Sequence, residues 1–305
     1  MNNLNIVFYE NHLDKKYIYY TETLKALKKI SNKFQLLSNL DNLKDDLKKV
    51  RFKPDILILG YGATDTNSKN LPDLSTIKIP KAIYLNKEYQ NLEYKLDWIK
   101  NQKFVAGFTV LNKTKEFRKI SNTKFFRINF AVNPKKFKKP LVPHDYNLDI
   151  SFSGVIRTEQ ANDIRREVMN ELFRDSYWYD KRISFTSHLN DSEKSYYKKL
   201  IKSKVTFSST GPANIIGTRY FEAMCTGRTI ILSNIIDNLF DDVFENKKHF
   251  LGFKKVSEIK NLYEKYILND ENRNRLLNES RKNILENHTW KHRSTEVLKY
   301  LKDSI

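Results

Sequence analysis

A single acidic side chain, Glu222, lies inside the apolar segment GTRYFEAMCTGRTIIL, residues 217–232. The segment has the pattern of a helix that ends at Gly227 and continues into a strand. Arg219 precedes Glu222 by three residues and therefore lies on the same side of the predicted helix. A carboxylate in this position can accept two hydrogen bonds from a pair of vicinal hydroxyls, such as those of a nucleotide ribose. An ordinary ion pair between the two residues on a solvated face is the alternative.

Small residues precede this segment and indicate an anion site. Three of the chain's eight glycines fall in SSTGPANIIGTRYFEAMCTG. The turn SSTG begins at Ser208, directly after a predicted strand, and we expect a helix to begin near Pro212, because proline is favoured in a first turn. Hydroxyls and free backbone N–H groups at the start of a helix bind anions. The sequence therefore predicts that Ser209, Thr210 and Gly211 contact a phosphate.

Three common nucleotide-binding motifs are absent from the sequence. The first strand-to-helix turn, YENHLDKK, has no glycine, whereas a dinucleotide fingerprint needs glycines there. No P-loop motif and no Asp-x-Asp motif occur. A nicotinamide or flavin dehydrogenase and a P-loop ATPase are therefore disfavoured, as is a mechanism that carries a nucleotide diphosphate on a metal held by an Asp-x-Asp motif.

The elements that must position these residues alternate along the whole chain. Short β-branched strands are expected at residues 5–9, 34–38, 55–60, 81–85, 104–110, 125–130, 149–156, 183–187, 204–209, 229–234 and 249–253. Helical segments lie between them, and the pattern is typical of parallel sheets covered by helices. The predicted fold class is α/β, with two Rossmann-like, doubly wound domains.

A cluster of prolines indicates the domain boundary. Pro134, Pro140 and Pro143 fall in the basic stretch PKKFKKPLVPHDYN, where proline opposes regular helix and central strand. The sequence therefore predicts an N-terminal domain at 1–133, a linker at 134–148 and a C-terminal domain at 149–305 that ends in helices.

Composition limits the compartment and the partners. Cys225 is the only cysteine, which excludes a disulfide framework and favours a reducing compartment, the cytoplasm. Neither a signal peptide nor a membrane-spanning segment is predicted. The net charge of +19 indicates either a surface of scattered, solvated lysines or an anionic partner such as nucleic acid, lipid headgroups or phosphorylated glycans.

The segment RYFEAMCTGRTIIL resembles the donor-binding segment of GT-B glycosyltransferases of the "glycosyl transferases group 1" type, most closely the branch with spore maturation protein CgeB-like proteins. The resemblance implies that Glu222 contacts the ribose of a nucleotide-diphosphate sugar. DISFSGVIR is similar to the strand and glycine that open the family's donor domain, which implies that Gly154 and Arg157 lie near the donor phosphates. HFLGF and NHTWKHRSTEVL are also similar, so residues 149–300 are covered.

One position departs from the family pattern. Where the signature commonly has an earlier acid, this chain has Asn214, whose amide can still bond a sugar hydroxyl. The resemblance implies two domains that face each other across a cleft, with C-terminal helices packed across both. The donor would bind in the C-terminal domain and the acceptor in the N-terminal one. Arg157, Arg219 and the amides after Ser209 would stabilise the leaving diphosphate.

The acceptor hydroxyl needs a general base if the reaction inverts the anomeric centre. His12, Asp65 and Glu88, at strand ends or turns of the first domain, are the candidates. The group-1 resemblance instead implies a retaining reaction, in which a dedicated base is less necessary.

The sequence thus predicts a cytoplasmic glycosyltransferase that uses a UDP- or GDP-sugar, without a cofactor or metal, to modify a cell-surface glycan or lipid-linked saccharide. Its basic surface would favour peripheral contact with an anionic membrane at the inner face. Two alternatives remain open. One is a GT-B enzyme that glycosylates modified bases of DNA, and the other is a non-enzymatic binding protein with a degenerate donor site.

Overall fold

The computed structural model describes residues 3–11, 18–39, 42–64, 71–88, 90–137, 145–154, 163–186, 193–211 and 213–305. The chain divides into two compact units. The first unit is Met1–Phe130 together with Trp290–Ile305, and the second is Ala131–Thr289. Each unit is an α/β domain with one parallel sheet, which confirms the predicted fold class.

The first unit contains a six-stranded sheet. Its strands are β1 (Asn5–Tyr9), β2 (Lys33–Leu37), β3 (Ile56–Leu59), β4 (Lys81–Tyr84), β5 (Ala106–Thr109) and β6 (Lys124–Arg127). The helices between them are α1 (Ile18–Ile30), α2 (Leu43–Lys48), α3 (Leu92–Asn101) and α4 (Thr114–Ser121). The order is β2-β1-β3-β4-β5-β6, and all neighbouring strands are parallel. Strands such as β3, ILIL, are buried along their whole length, as expected of a sheet covered by helices.

The second unit contains a five-stranded sheet. Its strands are β7 (Leu148–Ser153), β8 (Ile183–Thr186), β9 (Ser203–Phe207), β10 (Ile230–Asn234) and β11 (Leu251–Phe253). Its helices are α5 (Ile164–Arg174), α6 (Glu193–Lys202), α7 (Thr218–Thr226), α8 (Ile259–Leu262), which continues into a π-helical turn (Tyr263–Leu268), and α9 (Asp270–Asn287). The order is β11-β10-β9-β7-β8, again with all neighbours parallel.

The last helix, α10 (Trp290–Lys302), belongs to the first unit, which differs from the predicted 149–305 domain. Val297, Leu298 and Leu301 are buried in the core of the first unit, and the ring of Tyr300 stacks on Phe126 at 4.2 Å between centroids. The sequence pattern shows that this helix is amphipathic, but the pattern does not show which sheet offers it an unfilled apolar face.

The boundary between the units also lies slightly before the predicted one. Val132 forms a parallel bridge with Thr289, and its N–H donates to the carbonyl of His288, so the chain enters the second unit at Ala131. Residues 138–144 of the predicted linker lie outside the described residues. The chain therefore passes into the second unit before the predicted linker begins.

Asp149 is a buried acid in β7, with 6% of its surface exposed. Its carboxylate accepts hydrogen bonds from Lys204 Nζ at 2.8 Å, Tyr263 Oη at 3.0 Å and the Arg182 N–H at 3.0 Å. Burial alone would raise the pKa of Asp149, but these bonds outweigh it, so the pKa lies below the usual value. The carboxylate therefore ties two strands and the π-helical turn together.

Replacing Asp149 with asparagine is expected to lower the free energy of unfolding at pH 7 by about 1–3 kcal/mol, because buried donors lose a charged partner. A carboxyl whose folded pKa is depressed contributes stability above its unfolded pKa, and this contribution is lost as the pH falls through the folded value. The deficit of Asp149→Asn should therefore shrink below about pH 4. Urea denaturation at pH 7 and at lower pH tests this, with the exposed Asp303→Asn as control. An equal deficit at every pH would contradict the ionic role.

Candidate functional site

The second sheet changes direction at β7. Strand β7 pairs with β8 on one side and with β9 on the other. The next strand in the chain, β8, therefore lies toward one edge of the sheet, and the strands β9, β10 and β11 lie toward the opposite edge. In open α/β sheets, ligands bind beyond the carboxyl ends of the strands at such a switch point. Gly154 follows β7 and the turn Ser208–Gly211 follows β9. Predicted donor-site residues thus lie at the place where the topology favours a ligand.

The turn after β9 is buried and held by side-chain hydrogen bonds. The Thr210 N–H donates to Asn234 Oδ1 at 3.3 Å, and Asn234 Nδ2 donates to Thr210 Oγ1 at 3.2 Å. Gly211 has φ +64°, in the left-handed region that glycine adopts without steric cost. A Cβ on Gly211 would lie 3.5 Å from Nη2 of Arg165. The left-handed conformation therefore favours glycine at this position, and the Arg165 guanidinium lies beside the turn.

The helix predicted near Pro212 begins later, at Thr218, with Gly217 as its N-cap. Asn214 has φ +51°, a left-handed conformation that interrupts a helix, and its N–H bonds the Gly211 carbonyl at 3.2 Å. Pro212 itself lies outside the described residues. The prediction of a helix start directly at the SSTG turn is therefore wrong, and Asn214 lies exposed in the intervening turn.

Glu222 is buried within α7, with 7% of its surface exposed, so the alternative of a solvated face is wrong. The helix ends as predicted at Gly227, which has φ +60°. On either side of Glu222 in the chain, Phe221 and Ala223 are fully buried. Tyr196 Oη, from α6, donates a hydrogen bond to Glu222 Oε2 at 2.9 Å. A charged group so placed needs polar partners, because burial of an unpaired charge is costly.

Two arginines share one aromatic ring at this edge of the sheet. The guanidinium carbons of Arg165 and Arg219 lie 6.0 and 5.8 Å from the centroid of Phe152, within cation–π range. Arg165 Nε donates to Ser209 Oγ at 2.7 Å. Nη1 of Arg219 lies 3.6 Å from where a Cβ on Gly154 would be. The Nε atom of Arg219 is buried and has no hydrogen-bond partner in the part of the chain that the structure describes. The arrangement concentrates positive charge beside a small-residue turn.

Helix α6 brings a third cation to the same edge. Lys199 Nζ donates to Thr186 Oγ1 at 2.9 Å and to Ser153 Oγ at 3.2 Å, so it contacts the ends of β8 and β7. Together with the two arginines it makes this edge of the second sheet strongly basic. Such an edge can bind a diphosphate through charge-assisted hydrogen bonds.

Sequence reasoning missed Arg165, Lys199 and Tyr196. For Arg165 a signal was present: it lies in the first turn of α5, two residues after the N-cap Asp163, where the helix dipole disfavours a cation. A basic residue at that position therefore suggests a bound anion. The residues of α6 carried no comparable signal, because lysine and tyrosine are ordinary in a half-exposed helix.

Of the other predicted site residues, Arg157, His12 and Asp65 lie outside the described residues. Glu88 follows β4 in the first unit and has 3% of its surface exposed. Its Oε1 accepts hydrogen bonds from Thr109 Oγ1 at 2.9 Å and from the Val110 N–H at 3.2 Å, and burial raises its pKa. These bonds link the ends of β4 and β5.

A further acid, Glu10, lies at the corresponding edge of the first sheet. It follows β1, which is flanked by β2 and β3, and it is fully buried. Its carboxylate oxygens accept the Gly62 N–H at 3.1 and 3.3 Å. Nothing in the sequence distinguishes Glu10 from surface acids. Among the described residues, no His, Cys, Asp and Glu side chains form a cluster of three or more that could hold a metal ion.

Within the ranges that the structure describes, no helix has the length and apolar character needed to cross a membrane. A family model described as glycosyl transferase-like matches residues 153–299, just under half of the chain. No curated protein sequence matches the chain.

Solved glycosyltransferases share the fold at low sequence identity. HepE of Anabaena, in complex with UDP-glucose, is 9% identical with a TM-score of 0.63, over 98% of this chain and 100% of that one. A glycosyltransferase from Rickettsia africae is 14% identical with a TM-score of 0.61, over 99% of each chain. A mutant of TarM of S. aureus, in a complex that includes UDP, is 14% identical with a TM-score of 0.55, over 81% of this chain and 55% of that one.

These likenesses show the GT-B architecture, and the family match covers the edge of the second sheet that carries Glu222, Arg165 and Arg219. The finer assignment to the CgeB-like branch stays a prediction. Residues 153–299 match the glycosyl transferase-like family model, and the chain has the GT-B fold of these solved structures.

Proposed function

We propose that this enzyme transfers a sugar from a UDP-sugar to a saccharide acceptor, and that the donor binds at the carboxyl edge of the second sheet. The observation that carries the proposal is the buried Glu222 on the same edge as Arg165 and Arg219, which flank the small-residue turn. UDP is favoured among nucleotides because HepE and TarM were both solved with it.

Each group has a distinct part in this proposal. Glu222 accepts hydrogen bonds from the ribose hydroxyls, while Arg165, Arg219 and the hydroxyls of Ser209 and Thr210 hold the diphosphate. During transfer, the bond from the anomeric carbon to the diphosphate oxygen breaks, and its electron pair stays on UDP. Fixed cations stabilise that developing charge without reorganisation. The acceptor oxygen bonds to the anomeric carbon, and its hydroxyl proton passes to the departing diphosphate oxygen.

We further propose that the reaction retains the anomeric configuration and needs no metal, and that the acceptor is a cell-surface glycan or lipid-linked saccharide. The single cysteine, Cys225, is buried, and burial raises the pKa of its thiol to about 11, so it is an unreactive packing residue. A single cysteine can form no disulfide within the chain, which fits action in the cytoplasm, where the acceptor would be reached from the inner face of the membrane.

A thermal-shift panel of UDP-, GDP-, ADP- and CMP-sugars tests the donor. A ligand that binds only the folded state at 100 times its Kd stabilises it by about 2.7 kcal/mol, so UDP-sugars are expected to raise the Tm. Release of UDP with a saccharide acceptor, measured with and without EDTA, tests the metal. A panel with no shift would contradict the proposed donor site, and turnover that EDTA abolishes and Mg²⁺ or Mn²⁺ restores would contradict metal independence.

A further inference from the structure

We propose that Tyr196 is a positioning residue that orients Glu222 for the nucleotide ribose. This inference rests on the proposed function, because it assigns a second residue to the ribose part of the same site. Tyr196 lies in α6 and Glu222 in α7, so the contact joins two separate helices. The hydroxyl of Tyr196 donates to Glu222 Oε2 at 2.9 Å.

The contact suits positioning because a glutamate side chain has several rotatable bonds and a buried carboxylate needs a partner. A hydrogen bond to a charged acceptor is stronger and shorter than a neutral one, so it fixes the direction of the carboxylate. A carboxylate offers about four acceptor positions. Glu222 can therefore keep its bond to Tyr196 while it accepts the ribose hydroxyls.

The tyrosine stays a donor over the physiological pH range. Burial of its hydroxyl, and then the adjacent negative charge of Glu222, hold the pKa of Tyr196 well above its usual value, although Arg219 opposes part of this effect. The hydroxyl therefore keeps its proton and donates a hydrogen bond to Glu222. It does not become an anion that would compete with Glu222 for Arg219.

Helix α6 is itself fastened to the site. Lys199, three residues after Tyr196 and on the same side of the helix, donates to Thr186 Oγ1 and Ser153 Oγ at the ends of β8 and β7. Ser203, which follows α6 directly and begins β9, donates from Oγ to the Lys199 carbonyl at 2.7 Å. The helix thus presents Tyr196 to Glu222 from a fixed position relative to the strand ends.

The test compares the full chain with Tyr196→Phe, which removes one hydroxyl and keeps the ring. The Kd values for UDP and for 2′,3′-dideoxy-UDP are measured by calorimetry. We expect Tyr196→Phe to bind UDP roughly tenfold more weakly than the wild type does, because the hydrogen bond that orients Glu222 is lost. It should bind dideoxy-UDP as tightly as the wild type does, because that ligand has no ribose hydroxyls to offer Glu222. Tyr197→Phe, the same change one residue along α6, is the matched control and should keep both Kd values.

A double-variant cycle with Glu222→Gln separates positioning from packing. If Tyr196 acts through Glu222, Tyr196→Phe should add little to the loss caused by Glu222→Gln. The inference is overturned if Tyr196→Phe weakens both nucleotides equally, leaves their ratio as in the wild type, or tightens UDP binding. Failure of the proposed function looks different, because Glu222→Ala would then leave the Kd for UDP unchanged whatever Tyr196→Phe does.

Discussion

Replacing Glu222 with alanine is expected to weaken UDP binding roughly 10- to 150-fold. The charge-assisted hydrogen bonds between its carboxylate and the ribose hydroxyls contribute about 1.5–3 kcal/mol, and this range converts to that change in Kd. The side chain is buried inside α7, so alanine, which favours helix, should leave the helix intact. Calorimetric titration with UDP measures the loss, and thermal unfolding of the same variant reports on the fold.

The control for this variant is Glu286→Ala, which removes an exposed glutamate from α9 of the same unit. It should bind UDP as the wild type does. Glu222→Gln adds a second comparison, because its amide keeps one acceptor oxygen but loses the charge, so its Kd should fall between those of the wild type and the alanine variant. If the Glu222→Ala variant is folded and its Kd for UDP is unchanged, Glu222 does not contact the donor and the assignment is wrong.

The second large effect is expected for the pair of arginines on the Phe152 ring. Replacing both Arg165 and Arg219 with methionine keeps their apolar contact but removes both guanidinium charges. Each bond from a guanidinium to a phosphate contributes about 1.5–3 kcal/mol, so UDP should bind at least roughly 100-fold more weakly. Uridine, which has no phosphate, should bind the variant and the wild type alike. The ratio of the Kd values for uridine and UDP therefore isolates the contribution of the diphosphate to binding.

Single variants refine this prediction. Because both arginines contact the same ring, their effects are expected to be non-additive. Arg174→Met, in the last turn of α5 and exposed, is the control and should keep the preference for UDP over uridine. Equal weakening of uridine and UDP in the double variant would indicate a packing role for the arginines and would argue against the diphosphate site.

The strands of this fold were predictable from sequence because they are short apolar runs between helical segments, and the central ones are buried. All eleven predicted strands are present, and β3, ILIL, illustrates the reason: a strand buried on both faces has no polar alternation to obscure it. The end of α7 was predictable too, since Gly227 takes a left-handed conformation that other residues avoid.

Other features depend on a local conformation or on tertiary contacts that the sequence pattern did not reveal. The predicted start of α7 near Pro212 is too early, because Asn214 has a left-handed backbone conformation that a helix does not contain. Tyr196 and Lys199 reach the site only because α6 packs beside the ends of β7 and β8. Likewise α10 is amphipathic in sequence, and only the filled core of the first unit shows where its apolar face belongs.

A crystal structure of the full chain with UDP bound is the decisive measurement for the donor site. We expect the ribose hydroxyls to lie within hydrogen-bond distance of the Glu222 carboxylate, and the diphosphate oxygens to contact the guanidinium groups of Arg165 and Arg219 beside the Ser208–Gly211 turn. A nucleotide bound elsewhere, with Glu222 bonded to protein groups alone, would contradict this assignment.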